Sequence, residues 1–145
     1  MIVHCDGAAR GNPGPAGIGV HIADEEGRTV HEIGIGIGVA TNNVAEYSAL
    51  IAGLEWCAEN GVREVAVLAD SDLMVKQMTG VYRVKNAGLK PLHARARKLA
   101  SGFRRISFEH VRREFNREAD RLANIGVDAW LSGDPRTDGQ EPSLF

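Results

Sequence analysis

The stretch IVHCDGAA sets an aspartate, Asp6, inside an apolar run. A carboxylate in a buried strand costs free energy unless something neutralises it. Asp-Gly often turns a hairpin, but the turn chemistry here lies further on, from Asn12 to Pro15, so Asp6 is expected within or at the end of a strand. Three more acids stand near element boundaries. Glu46 would occupy the third position of a helix capped by Asn43, where a capping-box glutamate belongs. Asp70 falls between a strand and a helix and would serve as a cap. Asp120 lies in the first turns of a helix, where the dipole favours negative charge. Each has an ordinary structural role when taken singly. Converging on one spot, the four would repel, and their pKa values would rise unless cations lay between them. Hard oxygen donors without His or Cys select Mg²⁺ or Mn²⁺ over zinc. Two such ions, roughly 3.5–4 Å apart, activate a water and stabilise the leaving oxygen of a phosphodiester.

Such convergence needs a scaffold. MIVHCDGA, PAGIGVHIAD and RTVHEIGIGIGVA read as three strands joined by turns at GNPGP and DEEGR, an antiparallel meander. The period changes at TNNVAEYSALIAGLEWCAENG, where Tyr47, Ile51, Leu54 and Ala58 follow helical spacing. Thr41, Asn42 and Asn43 supply capping chemistry in front, and Gly61 closes the helix behind. VREVAVLAD is a nearly continuous apolar strand, as in a sheet covered on both faces. SDLMVKQM reads as a short helix. A longer one begins at Pro91, with Leu92, Ala96, Leu99 and Phe103 on its apolar stripe and Arg95, Arg97 and Lys98 on its other face. RRISFEHVRRE alternates as a strand, and NREADRLANIGVDAWL forms the last helix. The order βββ–α–β–α–α–β–α predicts a mixed α/β sheet flanked by helices. In it the first and fourth strands can be central neighbours, bringing Asp6 and Asp70 side by side.

The 145 residues suit one domain with a substantial core. Cys5 and Cys57 each sit in an apolar context, which reads as two buried free thiols in a reducing cytosol. No apolar run is long enough to span a bilayer, and the N-terminus lacks the pattern of a signal peptide, so a cytoplasmic protein with no membrane partner is expected. The net charge of −2 argues against a uniformly basic nucleic-acid binder. It hides an asymmetry, because residues 83–121 hold 12 Lys/Arg against 4 Asp/Glu. A basic third of this kind either holds a polyanion on one side or forms solvated helix faces.

The segments DGAARGNPGPAGIGV, TNNVAEYSALIAGLE, ADSDLMVKQ and REFNREADRLAN, in that order and in this pattern of strands and helices, resemble type 1 ribonuclease H over nearly all of residues 1–131. The resemblance implies a ribonuclease H-like fold: a five-stranded mixed sheet, three antiparallel strands and then parallel ones, flanked by helices. It assigns residues 1–131 to the catalytic domain and leaves 132–145 as a polar tail, expected to be flexible. The implied activity is endonucleolytic hydrolysis of the RNA strand of RNA–DNA hybrids with two Mg²⁺ ions, for which Mn²⁺ can substitute, leaving 3′-hydroxyl and 5′-phosphate ends. By the same resemblance Asp6 bridges both ions, Glu46 and Asp70 complete one site and Asp120 the other. Asn12 would read the minor groove of the hybrid, Asn42 and Asn43 would straddle its strands, and Thr41 would grip a DNA phosphate.

The match breaks in two places. Many relatives carry a glycine-rich loop with a histidine before the last helix, and EHVRREFNREAD is too short for it. His110 is expected in the strand, with Arg113 and Glu114 as the nearby polar substitutes. The short VYRVKNAGLK replaces the long basic handle found after Gly80 in many relatives. Gripping is left to Lys85, Lys90 and the basic helix face, and weak, salt-sensitive binding by a monomer is expected. No separate hybrid-binding domain is expected before Met1. Short forms of this kind occur in bacteria and archaea, sometimes fused to a second enzyme. The terminal Leu144-Phe145 is similar to peptides that dock in sliding clamps, which makes a clamp a candidate partner. Two rival readings are a binding module of the same fold that has lost its chemistry, and a nuclease of the same fold acting on another substrate such as junction DNA.

Overall fold

Alternating apolar residues carry the chain through β1 (Ile2–Ala9), β2 (Gly14–Ala23) and β3 (Thr29–Ala40), an antiparallel meander as the pattern predicts. The structure, a computed structural model, describes residues 1–133. Most of the polar tail, with Leu144-Phe145, lies outside the described residues. Helix α1 (Asn42–Glu59) follows, then β4 (Glu64–Ala69), α2 (Asp72–Met78), α3 (Lys90–Ser101), β5 (Arg105–His110), a 3-10 turn (Arg113–Phe115) and α4 (Arg117–Leu131). The five strands form one sheet in the order β3-β2-β1-β4-β5. β4 lies parallel to both β1 and β5, so the first and fourth strands are neighbours at the sheet centre.

α1 packs on one face of the sheet and is itself covered by α3. It is therefore buried on nearly all sides from Ala45 to Leu54. The expected stripe holds for Tyr47, Ile51 and Leu54 but not for Ala58, which is exposed in the last turn of the helix; Cys57 is buried in its place. On the opposite face α4 covers β1, β2 and β3. β2 is thus buried on both sides, whereas Ala66 and Leu68 of β4 are only half-buried. The double coverage expected of β4 belongs instead to the strands under α4. β5 also ends earlier than its alternation suggests, because Arg113–Phe115 coil into the 3-10 turn.

Two glycines set how closely these layers approach. A Cβ on Gly7 would collide with the backbone at Ala45 and Glu46, so its absence lets the start of α1 come down beside Asp6. A Cβ on Gly19 would collide with the carbonyl of Ala119 and the amide of Ala123. Together with Gly17, Gly34 and Gly36 it forms a side-chain-free lane on which α4 lies.

Candidate active site

Asp6 pairs with Gly19 near the middle of the sheet and is 4% exposed. Its carboxylate, that of Glu46 from α1 and that of Asp70 just beyond β4 bring one oxygen each to within 4.8 Å of one another. Asp120 comes from the first turns of α4 and stands close enough to Asp6 to help push its carboxyl up. All four line one polar cavity of about 360 Å³, together with Asn42 and Arg113. The structure therefore brings together acids from four separate elements.

The simpler structural roles fail for two of them. Thr41, not Asn43, caps α1: its Oγ1 accepts from the Val44 N–H at 3.2 Å. Glu46 then falls at the fifth helical position, beyond a capping box. Ser71, not Asp70, caps α2 by accepting from the Met74 N–H. Asp120 does lie in the first turn of its helix, where the dipole favours it.

The electrostatics fit a cation-binding cluster. Burial, and then repulsion from Glu46 and Asp70, push the Asp6 carboxyl up to about 10. Burial, and then the charge of Asp70, push Glu46 up to about 8. One buried oxygen of Glu46, Oε2, has no hydrogen-bond partner among the described residues. Hard, crowded, underpaired carboxylates suit a divalent cation of the Mg²⁺ or Mn²⁺ type.

Around this cluster the polar residues interlock. Asn42 accepts from the Ala9 N–H through Oδ1 at 3.1 Å, and Asn12 accepts from the Asn42 N–H through its own Oδ1, also at 3.1 Å. The turn between β1 and β2 is thereby tied to the start of α1, and both amides keep their Nδ2 donors uncommitted by these bonds. Asn43 is exposed on the same first turn. Thr41→Ala should lower stability by about 1 kcal/mol through loss of the cap, and Thr41→Ser should restore it; urea midpoints of the two variants check this.

Several residues of the site are long-range and escape sequence reading. Arg10 donates to Asp128 Oδ1 at 2.7 Å and to Asn124 Oδ1 at 3.2 Å, pinning the β1–β2 turn onto α4. Asn124 Nδ2 in turn donates to the carbonyl of Asp120 (3.0 Å) and to its Oδ1 (3.4 Å). The Arg113 guanidinium reaches 3.6 Å from Asp120 Oδ1 while staying largely exposed, whereas Glu114 pairs with Arg112. His110 ends β5, as expected, and its Nδ1 lies 4.0 Å from Asp72 Oδ1 rather than in the cavity wall. Arg97 and Lys98 are exposed on α3, and Arg95 pairs with Glu55 of α1 at 3.0 Å. No helix among the described residues is long and apolar enough to cross a membrane.

Comparison with known proteins gives a consistent answer. A family model described as reverse transcriptase-like matches residues 4–126. Bifunctional protein Rv2228c of Mycobacterium tuberculosis is 50% identical over 130 residues, 89% of this chain and 36% of the relative. Ribonuclease HI of Halobacterium salinarum is 46% identical over 123 residues, 85% of this chain and 62% of the relative. The chain thus spans less than two thirds of the length of these curated relatives. The crystal structure of the Halobacterium RNase H1 superposes with a TM-score of 0.85 at 45% identity, covering 88% of this chain and 96% of that one. LC11-RNase H1, solved in complex with an RNA/DNA hybrid, gives a TM-score of 0.85 at 47% identity and covers 90% of this chain and 98% of its own.

Proposed function

Because this chain belongs to the type 1 ribonuclease H family, we propose that it is an endonuclease that hydrolyses the RNA strand of RNA–DNA hybrids and leaves 3′-hydroxyl and 5′-phosphate ends. The observation that carries this reading is the convergence of Asp6, Glu46 and Asp70 within 4.8 Å, with Asp120 on the wall of the same cavity. The hybrid bound by a relative 47% identical supports the substrate. Asp6, Glu46 and Asp70 would hold one divalent cation, and Asp6 with Asp120 a second, Mg²⁺ or Mn²⁺ in each case. Such a pair, when bound, polarises the phosphate and lowers the pKa of the attacking water.

The chain's own residues do the rest. Asn12 and Asn42 spend Oδ1 on backbone N–H groups, so each offers its Nδ2 donors outward. Donors suit the acceptor atoms of a minor groove and the oxygen of a ribose 2′-OH. Thr41 Oγ1 accepts from Val44 and keeps its hydroxyl proton for a phosphate oxygen, and Asn43 extends the same edge. Arg113 stands over the Asp120 side of the cavity, where a cationic group can meet the anionic cut ends. Exposed Lys85, Lys90, Arg97 and Lys98 supply the general attraction for the backbone. We place the protein in the cytosol as a monomer, in keeping with Cys5 and Cys57, which are buried and unpaired.

The test is cleavage of a labelled RNA–DNA hybrid beside duplex RNA, duplex DNA and a hybrid with one deoxynucleotide at the cut position. Scission of the RNA strand alone, lost with EDTA and regained with Mg²⁺ or Mn²⁺, is the expected result. Equal cutting of the deoxy-substituted hybrid would move the reading to another nuclease of this fold. Binding without cutting under either ion would leave a binding module.

A further inference from the structure

Asn116 occupies the N-cap position of α4 but makes no side-chain cap bond. Asparagine is among the best capping residues because its Oδ1 accepts from an orphan N–H of the first turn. Thr41 and Ser71 do this for α1 and α2. Asn116 gives up that bond and turns its amide inward, where the residue is 1% exposed. Its Nδ2 donates to the carbonyl of Cys5 at 3.0 Å and to Asp70 Oδ1 at 3.4 Å. Its backbone carbonyl accepts from the Asp120 N–H at 3.1 Å. Its Oδ1 is buried and has no partner among the described residues. A capping residue that forgoes its cap and leaves an acceptor unpaired is placed there for another contact.

Those contacts all lead to the four acids. Cys5 precedes Asp6 on β1, Asp70 ends β4, and Asp120 lies four residues along α4. One neutral side chain therefore joins three of the four elements that carry the cluster.

We infer that Asn116 is a positioning residue for the cation-binding carboxylates: its amide holds one oxygen of Asp70 and fastens the helix bearing Asp120 to the strand bearing Asp6. The inference rests on the reading of the cluster as a cation site. Its chemistry follows from the donor type. An amide N–H restrains the rotation of the Asp70 carboxyl and leaves the second oxygen for a cation. Unlike a Lys or Arg in the same place, it does so without cancelling the negative charge that attracts the cation. Hydrogen-bonded partners of this kind commonly set ligand orientation, and removing one costs about 10–100-fold in metal affinity or activity.

The experiment is calorimetric titration of the full chain with Mn²⁺, without nucleic acid, for the wild type and for Asn116→Ala and Asp70→Asn, with thermal melts of each. Asn116→Ala should melt cooperatively and bind Mn²⁺ about 10-fold more weakly or worse. Raising Mn²⁺ should then recover most of its kcat on the hybrid, with KM unchanged. If Asn116→Ala does not fold, Asn116→Ser takes its place, since it keeps a hydroxyl able to cap α4 but too short to reach Asp70; the same weakening is expected. Wild-type Mn²⁺ affinity in a variant whose melting temperature has fallen would overturn the inference and leave Asn116 as structural glue. If the wild type and Asp70→Asn titrate alike, the cation reading of the cluster fails and takes the inference with it. The two failures are distinguished by Asp70→Asn alone.

Discussion

Asp6→Asn should all but abolish hydrolysis while making the cation-free chain harder to unfold. The two effects have one origin. Asp6 is buried against Glu46 and Asp70, and its carboxyl is pushed up to about 10 from an ordinary 3.8; Glu46 is pushed up to about 8 from 4.5. For both groups the folded chain holds a proton that the unfolded chain releases, so their contribution to stability is present at low pH. It is lost as pH rises above the unfolded values toward the folded ones. Between about pH 4 and pH 8 the cation-free protein should therefore become steadily easier to unfold. An amide at residue 6 removes the largest of these penalties. A gain of roughly 2 kcal/mol at pH 8, about 6 °C in melting temperature for a domain of this size, is the expected scale. The same change removes the carboxylate shared by both proposed cations, and a fall in kcat of about 10³ or more is expected, equivalent to about 4 kcal/mol of barrier. Thermal melts across pH in EDTA, paired with hybrid cleavage, read both quantities. A variant that was both inactive and less stable would show that Asp6 is held by favourable contacts rather than by a cation. Because a cation needs ionised ligands, wild-type affinity for Mg²⁺ should also rise with pH up to about pH 8.

Gly19→Ala is the second large effect, and it acts through packing. The new methyl would overlap the carbonyl of Ala119 and the amide of Ala123, both of them backbone. Neither can rotate away, so α4 must lift from the sheet. Overpacking of this kind costs about 3 kcal/mol or more, near 10 °C in melting temperature. The lifted segment carries Asp120, and a displacement of about 1 Å costs roughly 100-fold in rate. The matched control is Gly102→Ala, where the methyl would meet only the Leu99 carbonyl at an ordinary 3.4 Å. Urea unfolding and kcat should change for the first substitution and hold for the second. An unchanged midpoint for Gly19→Ala would mean that α4 is not seated on the glycine lane.

What could be read from the sequence was what repeats or stands out locally. Alternation gave the three-stranded meander, and the order of elements gave the place of β4 beside β1, while its continuous apolar run wrongly suggested cover on both faces. An acid inside an apolar strand pointed to Asp6, because burial without a partner is costly wherever it occurs. The errors came where several local solutions compete or where a distant contact decides. Thr41, Asn42 and Asn43 are all competent caps, and only the backbone at Thr41 selects the true one. Ala58 follows the helical period but is exposed in the last turn of α1, where Cys57 takes the buried place, which spacing cannot reveal. The Arg10–Asn124–Asp120 relay and the inward turn of Asn116 join residues more than a hundred positions apart. Nothing local marks them. Asn116 looks like any asparagine before a helix until its cap bond is found missing.

The four carboxylates lie on β1, α1, the end of β4 and α4, which are spread over nearly the whole described chain. Asp120 belongs to α4, the last helix among the described residues. A nascent chain still inside the ribosome beyond β5 therefore has three of the acids and lacks the fourth, together with the helix that closes the cavity. Synthesis itself withholds the complete set until α4 has emerged, so a polypeptide released before that point carries no assembled cluster of the four acids.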